Sequence, residues 1–197
     1  WAGPVESLQP LDLGDVAFGT QINFPIPDKT LGFTLQVEGS TLTDRLASGP
    51  VSLPEFFSIY VRLLDPLSAA HAKGIVHRDL KPDNAFLQRK PNGTELLKLL
   101  DVGIARNLEA SQQNMTQTGM AMGTPHYMAP EQVDGIQVDA RADQYALGCI
   151  LYQMIGGQVP FSAPSSMALI SMHLFERPQS LRERHPDLKV PESLDAL

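Results

Sequence analysis

The sequence predicts an α+β fold, mainly helical with a few short strands. Between residues 54 and 73, Phe56, Phe57, Tyr60, Val61, Leu63, Leu64 and Leu67 recur at helical spacing. Residues 139–155 are nearly continuous in apolar side chains from Tyr145 onward, the pattern of a helix buried on most sides. Short apolar runs at 32–37, 75–76, 85–87 and 96–100 are bounded by turn residues and read as strands.

Taken in order, residues 1–30 are rich in Pro and Gly and hold no sustained period, so one short strand at 8–13 and an irregular connection are expected. The strand at 32–37 leads to a turn at Glu38-Gly39-Ser40 and a short helical stretch in which Leu42 and Leu46 stand four apart. In the 54–73 helix, Pro54 suits the first turn and Gly74 stops the last. Pro66 should kink this helix or be accommodated at a local bend. The runs at 75–76 and 85–87 enclose a polar loop, and Pro91-Asn92-Gly93 turns the chain into 96–100. From Asp101 to about Pro130 there is no apolar periodicity, and a loop this long inside a compact domain is usually functional. Gly156-Gly157 closes the 139–155 helix, and a further helix at 165–176 is stopped by Arg177-Pro178. Trp1 in place of Met, and a last helix that stops after its opening turn at 191–197, make the chain read as a fragment.

Composition narrows the function. The chain has 197 residues, 43% of them hydrophobic, enough to bury a core as one domain or two. A formal charge of −7 with 15 Lys+Arg leaves no basic stripe for a phosphate backbone, so no nucleic-acid partner is expected. The single cysteine, Cys149, excludes an internal disulfide and sits in an apolar setting that favours inert packing. No run reaches the roughly 18 apolar residues of a membrane span, and no basic flank precedes a long apolar stretch near the start. A cytoplasmic setting is expected, with a membrane anchor elsewhere in the parent protein left open.

Three motifs carry chemistry. The first is His77-Arg78-Asp79-Leu80-Lys81-Pro82-Asp83-Asn84; the second is Asp101-Val102-Gly103, directly behind the run at 96–100; the third is Gly123-Thr124-Pro125-His126-Tyr127-Met128-Ala129-Pro130-Glu131. Their order and content resemble the catalytic loop and activation segment of serine/threonine protein kinases of the bacterial, eukaryotic-like type. The resemblance covers about residues 31–197. It implies a protein-kinase-like fold represented mainly by the helical C-lobe, with 1–37 a partial N-lobe remnant and hinge strand. Residues 38–197 would then be a C-lobe cut short at its end, with a catalytic loop at 77–84 and an activation segment at 101–131.

The resemblance also implies roles. Phosphoryl transfer from ATP asks mainly for in-line positioning and for neutralisation of charge on the phosphate oxygens. Asp79 would accept the proton of a Ser or Thr hydroxyl on a protein substrate, and Lys81 would place an ammonium on the moving phosphate. Asn84 and Asp101 would hold Mg²⁺, a hard cation that prefers oxygen donors. Val102 departs from the family's Phe, which bears on regulation more than on the retained metal ligand. Thr124 would reach back to Asp79 and Lys81. Phe86 would lie beneath the adenine, with Thr34, Leu35 and Val37 along its edge. Thr116 and Thr118 would be phosphorylated and pair with Arg78, ordering the loop. Asp143 would accept hydrogen bonds from the catalytic-loop backbone, and Glu131 would pair with an arginine beyond Leu197. His71, His126, His173 and His185 are scattered without ligand spacing and read as surface or packing residues.

The family's glycine-rich turn and strand lysine have no counterpart here. Lys29 is the only lysine before Lys73, and Gly14-Asp15-Val16-Ala17-Phe18-Gly19-Thr20 lacks the Lys-Ser/Thr end of a phosphate-binding loop. Two readings follow: an active kinase represented by a piece that is itself inactive, or a catalytically silent kinase-like module that binds partners. Intact Asp79, Lys81, Asn84 and Asp101 favour the first.

Overall fold

A computed structural model describes residues 39–90, 92–101, 125–133, 138–188 and 190–195. The expected strands at 8–13 and 32–37, and most of the long loop, lie outside these residues.

A three-stranded antiparallel sheet is ordered β1-β2-β3, with β1 at Gly39–Thr41, β2 at Ala85–Arg89 and β3 at Glu95–Leu99. Thr41 stands opposite Phe86, and Ala85 opposite Leu99. The expected turn at Glu38-Gly39-Ser40 is therefore corrected for its last two residues, which are strand. The glycine serves close approach here: a Cβ on Gly39 would fall 2.7 and 2.8 Å from two ring carbons of Phe86 and against the Leu87 carbonyl. Between β2 and β3, Lys90 N–H donates to Thr94 O at 2.8 Å, and Gly93 takes the left-handed φ of 80° that the turn needs.

Thr41 also caps α1, Leu42–Leu46, through a reciprocal box with Asp44. Arg45 then makes a bidentate pair with Glu55 at 2.5 and 2.6 Å, fixing α1 to the first turn of α2, Leu53–His71. Phe56, Ile59, Leu63, Leu67 and Ala70 form the buried stripe of α2. Phe57 and Val61, expected in that stripe, are 50% and 55% exposed; Ile59 takes the inward position between them. Pro66 neither ends nor divides the helix. The expected strand at 75–76 is absent because Ile75 N–H donates to Ala70 O at 3.0 Å, which continues the helix exit.

Beyond the long loop come a 3₁₀ turn at Pro125–Tyr127, α3 at Pro130–Val133 and α4 at Ala140–Gly156. Asp139 caps α4 by accepting from Arg141 N–H, and Gly157 ends it at φ 73°. Ala146, Leu147, Ile150 and Met154 of α4 join Phe56, Leu63 and Leu67 of α2 in one core, which Leu87, Leu97 and Leu99 of the sheet complete. Helices α5, Ser166–Phe175, α6, Leu181–Arg184, and α7, Glu192–Asp195, follow, the first two capped by Ser165 and Ser180. Among the described residues no helix is long and apolar enough to cross a membrane.

Candidate active site

The loop between α2 and β2 has little regular structure of its own, and its order comes from neighbours. Asp143, in the first turn of α4, is 1% exposed and accepts from three donors: Arg78 N–H at 2.8 Å on Oδ1, and His77 N–H at 2.8 Å and His71 Nε2 at 2.7 Å on Oδ2. Those bonds and the positive end of α4 compensate the cost of a buried carboxylate. His71 is thus corrected from a surface or packing residue to a partner of Asp143. His173 is buried and meets the Tyr145 hydroxyl at 2.7 Å.

His77 is buried too, and desolvation pushes its pKa below the ordinary value. The neutral ring fits its contacts: Nε2–H donates to Leu100 O at 3.0 Å, while Nδ1 accepts from Asp79 N–H at 3.4 Å. Arg78 is held at φ 65°, a left-handed conformation that costs a non-glycine residue energy. Its carbonyl accepts from Gln132 Nε2 at 2.8 Å.

The candidate side chains of the first two motifs project from this frame. Lys81 Nζ lies 3.2 Å from Asp79 Oδ2. Pro82–Asn84 forms a 3₁₀ turn that buries Asn84, whose Nδ2 donates to Asp79 O at 2.8 Å and lies 3.5 Å from Asp79 Oδ2. Asn84 O accepts from Leu100 N–H at 2.8 Å, which brings the end of β3, and so Asp101, beside the start of β2. Asp101 has φ 53° and is exposed. Lys81, Asn84 and Asp101 line one cleft with Asp83, His126 and Tyr127, and Asp79 is bonded to the first two. Four residues separated by as many as 22 positions in the chain are thereby brought together.

The donor set suits a hard divalent cation. The amide nitrogen of Asn84 is committed to Asp79, which leaves its oxygen as the group to face an ion, and Asp101 adds a carboxylate on the same cleft. Mg²⁺ takes few protein ligands and completes its shell with water and phosphate oxygens, so two such donors fit it. Among the described residues no cluster of three or more His, Cys, Asp or Glu competes for a metal.

Phe86, half-buried in β2, lies against Gly39. Glu131 is half-buried in α3, where its charge is felt at Arg141 and Tyr145 of α4. Thr34, Leu35, Val37, Val102, Thr116, Thr118 and Thr124 lie outside the described residues. Two residues of the frame escaped sequence reading. His71 offers only a histidine in the last turn of a helix, and Gln132 only its place after Ala-Pro-Glu.

Residues 29–195 match the family model for the protein kinase domain. Serine/threonine-protein kinase pkn3 of Myxococcus xanthus is 37% identical over 150 residues, 75% of this chain. PknB of Mycolicibacterium smegmatis, also named a serine/threonine-protein kinase, is 37% identical over 176 residues, 89% of this chain. The chain spans 27% of the length of each. Among solved structures, the kinase domain of Mycobacterium tuberculosis PknI matches with a TM-score of 0.54 at 27% identity, over 78% of this chain and 50% of that one. Rad53 1–466 in complex with AMP-PNP matches with a TM-score of 0.63 at 25% identity, over 82% and 38%. With loop, cleft and donor set arranged as described, and relatives of this kind, the chain belongs to the protein kinase domain family, in its bacterial serine/threonine branch.

Proposed function

We propose that the protein carrying this chain transfers the γ-phosphoryl group of ATP to Ser or Thr hydroxyls of protein substrates. The observation that carries the reading is the meeting of Asp79 with Lys81 and Asn84 beside a cleft that Asp101 also lines. Asp79 accepts the hydroxyl proton as the oxygen attacks the γ-phosphorus, whose bond to the bridging oxygen breaks and releases ADP. Lys81 sets its ammonium against the charge on the equatorial phosphate oxygens, where fixed charges contribute most in the transition state. Asn84 and Asp101 would hold Mg²⁺, which when bound would supply charge neutralisation at the terminal phosphates. Phe86 supports the adenine ring, and Thr34, Leu35 and Val37 border it. Thr124 steadies Asp79 and Lys81, and phosphorylation of Thr116 or Thr118 engages Arg78. Residues 1–37 belong to the ATP-lid lobe and hinge, and 38–197 to the substrate-binding lobe. ATP supply places the reaction in the cytoplasm.

The test uses the whole gene product that carries this chain, with radioactive ATP and a generic Ser/Thr substrate. Labelling that falls by at least about 10³-fold in Asp79→Asn, with the fold retained by circular dichroism, is the expected result. Undiminished labelling by that variant, or none by the wild type, would overturn the reading.

A further inference from the structure

We propose that Gln132 is a positioning residue for Asp79, an inference that rests on the kinase reading above. One planar amide makes two bonds: Nε2 donates to Arg78 O at 2.8 Å, and Oε1 accepts from Ala129 N–H at 3.0 Å. The orientation of the amide is fixed by chemistry, since the Ala129 N–H must face the oxygen and the Arg78 carbonyl must face the NH₂. Ala129 is fully buried, so one end of the bridge is anchored in the core.

The other end holds the peptide plane between Arg78 and Asp79. The carbonyl of that plane is taken by Gln132 and its N–H by His77 Nδ1 at 3.4 Å, so the plane is held on opposite edges. Its orientation sets the direction in which the Asp79 side chain leaves the backbone. Arg78 also needs restraint, because φ 65° lies outside the preferred region; Asp143 holds the residue through its N–H, and Gln132 through its carbonyl. Gln132 thus ties the segment that closes the long loop to the proton-accepting carboxylate. A small displacement of a reacting group costs rate disproportionately, so the bridge affects turnover more than nucleotide affinity.

The test is Gln132→Glu in the whole gene product, beside Gln132→Ala. Glutamate retains the acceptor for Ala129 N–H but has no donor for Arg78 O. The expected result is a kcat about 10-fold lower or more in both variants, with KM for ATP within about 2-fold, and a lowered melting temperature in the Glu variant, whose carboxylate faces the Arg78 carbonyl. Hydrogen exchange of the amides of residues 77–81 should be faster in both. If the wild type is active and the Glu variant equals it in kcat and exchange, the positioning role is overturned while the kinase reading stands. A fall in kcat with unchanged exchange at residues 77–81, or one matched by an equal rise in KM for ATP, overturns it as well, by reducing Gln132 to a structural bond. A wild type with no transfer at all is a different failure, that of the kinase reading, and takes the positioning role with it.

Discussion

His77 is buried as a neutral ring that both donates and accepts, so its protonation is linked to folding. Burial holds the folded pKa below the ordinary value of 6.5. Between the lower folded value and 6.5 the unfolded chain binds the proton and the folded chain does not. Stability therefore rises with pH through that window and levels above it. His126 and His173, also shifted down by desolvation, act in the same direction. Urea unfolding should show stability falling as pH drops from about 7 to about 5.5, and His77→Gln should flatten part of that fall; an unaltered pH slope in the variant would refute the assignment. At this scale the sequence is legible where chemistry constrains residue type, as for Asp79, Lys81, Asn84 and Asp143. Gln132 and His71 are not legible, because what matters in each is a bond to a partner 54 or 72 positions away, which no local pattern announces.

Elements were legible where one face or one cap decides them. Pro54 and the apolar stripe mark α2, and Asp139 with Gly157 brackets α4. The errors fall where tertiary contact overrides local preference. Glu38-Gly39-Ser40 has turn composition, yet Gly39 and Ser40 pair with Gln88 and Leu87 of β2. Phe57 and Val61 fit a helical stripe, yet the core meets α2 along Phe56, Ile59 and Leu63. The contact at Gly39 gives a prediction at this scale. In Gly39→Ala the new methyl displaces the ring of Phe86 and loosens the β1–β2 pair, which should cost about 1–3 kcal/mol in urea unfolding. On the reading of Phe86 as the adenine support, KM for ATP should rise as well. Retention of both wild-type values would show that the strands yield without consequence.

For the molecule as a whole, α2, α4 and the sheet enclose one core; Cys149 of α4 is buried too, and desolvation pushes its thiol up to about 12. It is the chain's one cysteine. A thiol reagent at neutral pH should therefore label the native chain only as fast as it opens, and the labelling rate should rise with urea in step with unfolding. Rapid labelling without denaturant would contradict the burial. The mainly helical α+β architecture is legible because long stripes and continuous apolar helices leave few ways to build one core. The cleft is not legible from pattern alone. It depends on a backbone bond between Asn84 and Leu100 that side-chain periodicity does not encode.

Among the described residues, Arg78 and Asp101 are the non-glycine positions with positive φ; the first directly precedes Asp79 and the second lines the cleft. Each conformation costs a side-chain-bearing residue on the order of 1 kcal/mol. A screen rewarding thermostability alone would thus drift toward glycine at these two sites, discarding the guanidinium and the carboxylate together. Where such a screen and a selection for turnover pull in opposite directions, they would trace the outline of the working centre.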